Sequence, residues 1–108
     1  MRVVIIGQGY VGLTIAIGAA GAGNDIIGLD INGNLVSQLN LGLSHIEGIS
    51  NVQLTQLTNN GSYKATIDAS LLEGADVIVI AVPTPLNTDR QPDLSFIHAA
   101  VYLIQNNI

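Results

Sequence analysis

Cysteine is absent from the 108 residues, so neither a disulfide nor a thiolate metal site can form within them. Positive charge is nearly absent as well. Three basic residues stand against eight acidic ones, for a net charge of −5, and Arg2, Lys64 and Arg90 lie far apart. That is a poor footprint for nucleic acid or for an anionic membrane, and neither is an expected partner. His45 and His98 have no metal-ligand spacing and are read as structural or exposed, so no metal site is expected. No basic segment with a long apolar stretch precedes the first strand, which makes the cytoplasm the expected location. The apolar stretch Val11 to Ala22 is glycine-interrupted and too short to span a membrane. No repeat or low-complexity linker divides the chain. A hydrophobic content of 48% is enough for one small core.

What is present is concentrated near the N-terminus. Val3-Val4-Ile5-Ile6 has the apolar character of a buried parallel strand, and Gly7-Gln8-Gly9-Tyr10-Val11-Gly12 follows it as G-x-G-x-x-G. With twelve glycines in the chain, that pattern alone is weak. Its context strengthens it. A small-residue helical stretch runs from Tyr10 to about Ala22, a second apolar run covers Ile26 to Leu29, and Asp30 stands where a ribose-binding carboxylate is expected. Gly7 would permit the tight strand-to-helix turn. Gly9 would let backbone amides approach a pyrophosphate, and Gly12 would let the helix lie close to the first strand. The anion would sit at the helix N-terminus, where free amides and the helix dipole favour negative charge without a lysine. Asp30 would accept the ribose hydroxyls and repel a 2′-phosphate, which points to NAD over NADP; the alternative is an ordinary solvated strand-end acid.

Strand and helix patterns then alternate, as in βαβ units around a mostly parallel sheet. The expected strands are 2–6, 26–30, 63–67 and 77–82. The expected helices are 10–23, 32–42, 68–74 and 93–107, with a shorter piece around 50–59. Val77 to Val82 is apolar on both faces, as a central parallel strand must be. Pro83-Thr84-Pro85 stops it at its carboxyl end, where open α/β sheets hold their ligands. Val82, Pro83 and Thr84 therefore either face the ribose or nicotinamide side of the cofactor or form a rigid strand exit. Pro92-Asp93-Leu94-Ser95 reads as a helix start, with Asp93 or Ser95 as the cap.

Four segments in order carry a family resemblance: Gly7 to Leu13, Gly28 to Ile31, Leu39 to Glu47, and Ala81 to Asn87 continued by Gln91 to Ser95. Together they resemble the nucleotide-sugar 6-dehydrogenases, which act on UDP-glucose, UDP-N-acetylglucosamine and UDP-N-acetylmannosamine. The resemblance covers essentially the whole chain. Ser44-His45-Ile46-Glu47 and the Thr-Pro-Leu-Asn and Pro-Asp-Leu-Ser forms look closer to the N-acetylated-sugar branch than to the UDP-glucose branch, which more often shows Gly-Thr-Pro-Pro. The resemblance implies a doubly wound Rossmann-type α/β fold and an oxidation of the sugar C6 alcohol to a carboxylate with two NAD. In that chemistry a cysteine thiolate captures the first-formed aldehyde as a thiohemiacetal; a second hydride leaves and water hydrolyses the thioester. Residues 1–108 would be the N-terminal NAD-binding domain, contacting the cofactor through Gly7, Gly9, Tyr10, Val11, Gly12, Asp30, Val82, Pro83 and Thr84. None of them is catalytic.

Two departures stand out. Leu35 occupies the place where family members commonly carry a lysine or arginine that can reach the adenosine. The chain is also too short for the UDP-sugar half and the dimer helix, so it is expected to be a fragment truncated after about four strands and inactive alone. Its fourth strand would be an exposed edge, open to self-association, and the longer parent would be a homodimer. Capsule, envelope or surface-polysaccharide synthesis is the setting the resemblance suggests. A nucleotide-sensing regulatory module also opens with a glycine fingerprint, but it gives no reason for the Val-Pro-Thr-Pro-Leu and Pro-Asp-Leu-Ser segments. A hydroxy-acid dehydrogenase of the same fold is opposed, less strongly, by Leu39 to Glu47.

Overall fold

The three apolar runs and the segment from Tyr63 become four parallel strands in a computed structural model that describes residues 1–108. Strands β1 (Arg2–Ile6), β2 (Asp25–Leu29), β3 (Tyr63–Thr66) and β4 (Val77–Ile80) form one sheet in the order β3-β2-β1-β4. In the register, Ile5 stands opposite Gly28 on one side and Val79 on the other. Helices α1 (Tyr10–Gly21), α2 (Gly33–Asn40), α3 (Asn51–Asn59) and α4 (Ser95–Asn107) connect or cover the strands. The fold is the doubly wound, Rossmann-like α/β arrangement.

The two-residue period of the strands divides the core. Ile5 and Ile26 point to one face, where they join Leu13, Ala16, Ile17 and Ala20 of α1 and residues of α2, α3 and β3 in a cluster of 12 buried residues. Val4, Ile6, Ile27 and Leu29 point to the other face, where only Leu72 and Ala100 complete a buried cluster of 6. The buried positions of α1 recur at helical spacing, and its small residues let the helix lie close to the sheet.

Several expected boundaries move, three of them with a visible local cause. The segment 68–74 makes only a 3-10 turn at Ala69–Leu72, because the Asp68 carboxylate binds the Ser70 N–H and hydroxyl at 3.0 and 2.7 Å and fixes a tight local turn. Strand β4 stops at Ile80, two residues before the expected end, where the chain turns out beneath the glycine loop; the Ala81 N–H still reaches the Ile6 carbonyl at 2.8 Å. Helix α4 starts at Ser95 with Leu94 at the cap position, so neither Asp93 nor Ser95 caps it. Asp93 is tied instead to the preceding loop, its N–H donating to the Pro85 carbonyl at 2.7 Å while its carboxylate takes the Ser95 N–H at 2.9 Å. No helix is long and apolar enough to cross a membrane.

Candidate dinucleotide site

At the exit of β1 the chain turns through Gly7, whose φ of 95° lies in the left-handed region that favours glycine. A Cβ there would come within 2.7 Å of the Ala81 carbonyl oxygen. A Cβ on Gly12 would collide with the Gly7 carbonyl, so the first turn of α1 can close onto the strand only without one. Gly9 differs, because a Cβ on it would meet nothing within 4 Å. The space beside it is open. No protein acceptor takes the N–H groups of Gly9, Tyr10, Val11 or Gly12, and no side chain caps α1. The result is a cradle of free amides at the positive end of a helix, which suits an oxyanion.

Asp30, half-buried just beyond β2, is fixed by backbone donors on both oxygens. Its Oδ2 accepts the Gln8 N–H at 2.8 Å and its Oδ1 the Asn32 N–H at 2.9 Å. Asn32 in turn caps α2 by accepting the Leu35 N–H at 3.2 Å. A carboxylate has about four acceptor sites, so two such bonds hold Asp30 in place and leave capacity for ribose hydroxyls.

Beneath this surface lies fully buried Gln8. Its amide donates to the Gly7 carbonyl at 2.9 Å and the Ile5 carbonyl at 3.2 Å, and its Oε1 accepts the Tyr63 hydroxyl at 2.7 Å. Burial, and then the nearby charge of Asp30, push the Tyr63 phenol far above the usual tyrosine range, so it remains a neutral donor. Gly28 makes room for the pair, since a Cβ on it would collide with the Gln8 side-chain oxygen. The Gln8 carbonyl faces Nε2 of His45 at 2.8 Å.

A cavity of about 610 Å³ opens at the carboxyl ends of the strands, within the usual range for ligand pockets. Of the expected contacts, Gly7, Gly9, Tyr10, Val11, Asp30, Val82 and Pro83 line it together. Gly12 and Thr84 do not. Gly12 is buried behind the turn as its support, and Thr84 is exposed on the loop beyond β4. Leu35, placed by the sequence where a basic residue could reach the adenosine, lines the cavity too; sequence reasoning missed Ile31, Asn32, Ile67 and Ala69 around Asp30, and Phe96, Ala99, Ala100 and Leu103 of α4. The α4 residues carried a readable signal, a single helical face at spacings of three and four. Ile67 and Ala69 carried none, because only the placement of β3 beside β2 brings them near. No lysine, arginine or histidine lines the cavity, so an anion there depends on backbone amides.

These residues fit NAD: free amides for the pyrophosphate, an anchored carboxylate for the ribose and apolar walls for the rings. The whole chain, residues 1–108, matches the NAD binding domain of the UDP-glucose/GDP-mannose dehydrogenase family. The chain belongs to that family.

Among its relatives is the UDP-N-acetyl-D-mannosamine dehydrogenase of Pyrococcus horikoshii, 37% identical over 102 residues, an alignment covering 94% of this chain and 24% of the relative. The NDP-N-acetyl-D-galactosaminuronic acid dehydrogenase of Ralstonia nicotianae is 39% identical over 101 residues, covering 93% and 23%. The Pyrococcus horikoshii UDP-D-ManNAc dehydrogenase structure superposes with a TM-score of 0.93 at 35% identity, covering all of this chain and 26% of that one. GDP-mannose dehydrogenase from Pseudomonas aeruginosa gives 0.89 at 31% identity, covering 96% and 24%. The chain thus spans about a quarter of the length of these relatives. It corresponds to the NAD-binding domain of these dehydrogenases.

Proposed function

We propose that this domain serves a UDP-sugar 6-dehydrogenase that oxidises the C6 alcohol of a UDP-hexose, and by preference a UDP-N-acetylhexosamine, to the uronate with two NAD. The observation that carries the reading is the meeting, in one cavity, of the free amides at Gly9 to Val11, the anchored Asp30 carboxylate and the Val82–Pro83 strand exit. The N-acetylated substrate is supported by the Ser44 to Glu47 and Thr84 to Asn87 segments and by relatives named for N-acetylmannosamine and N-acetylgalactosaminuronic acid.

In this reading the amides of Gly9, Tyr10 and Val11 hold the pyrophosphate on the helix N-terminus, with Gly7 and Gly12 shaping the turn. Asp30 receives the adenosine ribose and discriminates against a 2′-phosphate. Val82 and Pro83 would bound the nicotinamide side. Bound NAD supplies the hydride acceptor for each two-electron oxidation. With no cysteine in the chain, the thiol that captures the aldehyde comes from outside it, and the domain alone turns over no sugar.

The longer protein works as a cytoplasmic homodimer in surface-polysaccharide synthesis. The isolated domain self-associates through the exposed edge of β4. Turnover by the full-length protein, with UDP-N-acetylmannosamine, UDP-N-acetylglucosamine and UDP-glucose offered separately, tests the substrate assignment. Two NADH per uronate, fastest with an N-acetylated sugar, is the expected result; no NAD reduction with any UDP-sugar would refute it.

A further inference from the structure

Two consecutive peptide planes of the glycine turn are gripped by side chains from distant parts of the chain. The Gly7–Gln8 plane is held through the Gln8 N–H, which donates to Asp30 at 2.8 Å. The Gln8–Gly9 plane is held through the Gln8 carbonyl, which faces His45 Nε2 at 2.8 Å. A carbonyl oxygen can only accept, so Nε2 must carry the proton.

No peptide bond in the chain is cis, and in a trans peptide the carbonyl and the following N–H point in opposite directions. Fixing the Gln8 carbonyl therefore fixes the direction of the Gly9 N–H, the first free amide of the cradle. Glycine supplies no side chain to hold that plane from the other side, and the space next to Gly9 is empty of protein atoms. Without His45, no bond to the Gln8 carbonyl would hold it.

The loop that carries His45 is itself anchored. The Ser44 N–H donates to Asn51 Oδ1 at 2.8 Å, the Ser44 hydroxyl donates to the Ile46 carbonyl at 3.1 Å, and Ile49 is buried in the larger core cluster. His45 is exposed and lines none of the cavity, so its bond to the turn is its link to the site.

We infer that His45 is a positioning residue for dinucleotide binding: through its Nε2–H bond to the Gln8 carbonyl it orients the Gly9 amide toward the pyrophosphate. This rests on the reading of the glycine turn as the pyrophosphate site. Its effect must then be confined to ligands that contain a pyrophosphate, since adenosine alone engages Asp30 and the apolar walls.

The test combines a spectroscopic and a binding readout. In ¹⁵N-resolved spectra of the ligand-free protein, His45 Nε2 should carry a proton; an unprotonated Nε2 would overturn the proposal whether or not any ligand binds. His45→Phe, which keeps a ring and removes the donor, should weaken NAD by about three- to tenfold while changing adenosine affinity less than about twofold. His45→Gln, whose amide can donate from a similar position, should recover most of the NAD affinity. Equal losses for NAD and adenosine, unchanged NAD binding in His45→Phe, or failure of His45→Gln to recover any affinity would each overturn it. Wild-type protein that binds adenosine as tightly as NAD would refute the pyrophosphate reading itself, and the proposal with it. Melting temperatures of both variants, expected near wild type for an exposed side chain, confirm that they are folded.

Discussion

At the β3 edge of the sheet, Asn40 of α2 turns its amide onto Ala65, donating to the carbonyl at 2.9 Å and accepting from the N–H at 2.9 Å, much as a neighbouring strand would. At the β4 edge no element lies alongside, and Val77 and Ile80 are 40% and 39% exposed although the strand is apolar throughout. The contrast continues into the site. On the β3 side Asp30, Gln8, Tyr63 and His45 form a connected hydrogen-bond network around the glycine turn. On the β4 side the chain leaves the sheet through Pro83 into a loop exposed from Pro83 to Pro92 and held together by its own bonds, among them Asn87 Oδ1 to the Asp89 and Gln91 N–H groups. The β3 half of the site is thus braced entirely by residues of this chain. The β4 half, with Val77 and Ile80 exposed, presents open apolar surface.

Substitutions can break this contrast from either side. The largest effect is expected from Gly12→Ala, whose Cβ has no room beside the Gly7 carbonyl; it should cost about 3 kcal/mol or more in thermal unfolding. Its counterpart Gly9→Ala has room for the Cβ and should cost about 1 kcal/mol or less, yet weaken NAD by about tenfold or more in titration, because the methyl occupies the pyrophosphate approach. Next comes Asn40→Ala, which strips both backbone groups of buried Ala65 of their partners and should cost about 2–3 kcal/mol by denaturant unfolding. The closed edge would then resemble the open one.

Tyr63→Phe should cost about 1–3 kcal/mol by leaving the Gln8 oxygen buried without a donor. It also carries a pH signature. The folded phenol titrates above its unfolded value of about 10, so its stabilising contribution is complete below that pH and is lost as pH rises through and beyond it. Wild-type stability should therefore fall at alkaline pH more steeply than that of Tyr63→Phe, as read by urea unfolding between about pH 9 and 11. The smallest change in stability, about 0.5 kcal/mol or less, is expected from Ile80→Lys. A charge on the free edge should nevertheless convert self-associating wild-type protein to monomer in sedimentation; an already monomeric wild type would contradict edge pairing.

The parts legible in the sequence were those with local causes. The apolar runs gave β1, β2 and β4, the G-x-G-x-x-G turn and Asp30 emerged at the same cavity, and Gly7 and Gly12 have the steric roles their spacing implied. Local competition misled the reading where short polar side chains intervened. Asp68 diverted an expected helix into a single 3-10 turn, and Asp93, bound to the loop before α4, did not become its cap. What remained hidden depends on strand order. Gln8 looks like a variable position within the glycine pattern, Tyr63 like an ordinary strand residue and His45 like a surface histidine, and they meet only because β3 lies next to β2 and the loop between α2 and α3 crosses above.

The most direct measurement is calorimetric titration of wild-type protein and Asp30→Ala with NAD and with NADP. NAD binding that exceeds NADP binding, and that falls by about tenfold or more in a still-folded Asp30→Ala, is the predicted result. Equal affinity for the two dinucleotides, or NAD binding indifferent to the loss of the Asp30 carboxylate, would contradict the claim that this anchored carboxylate receives the ribose.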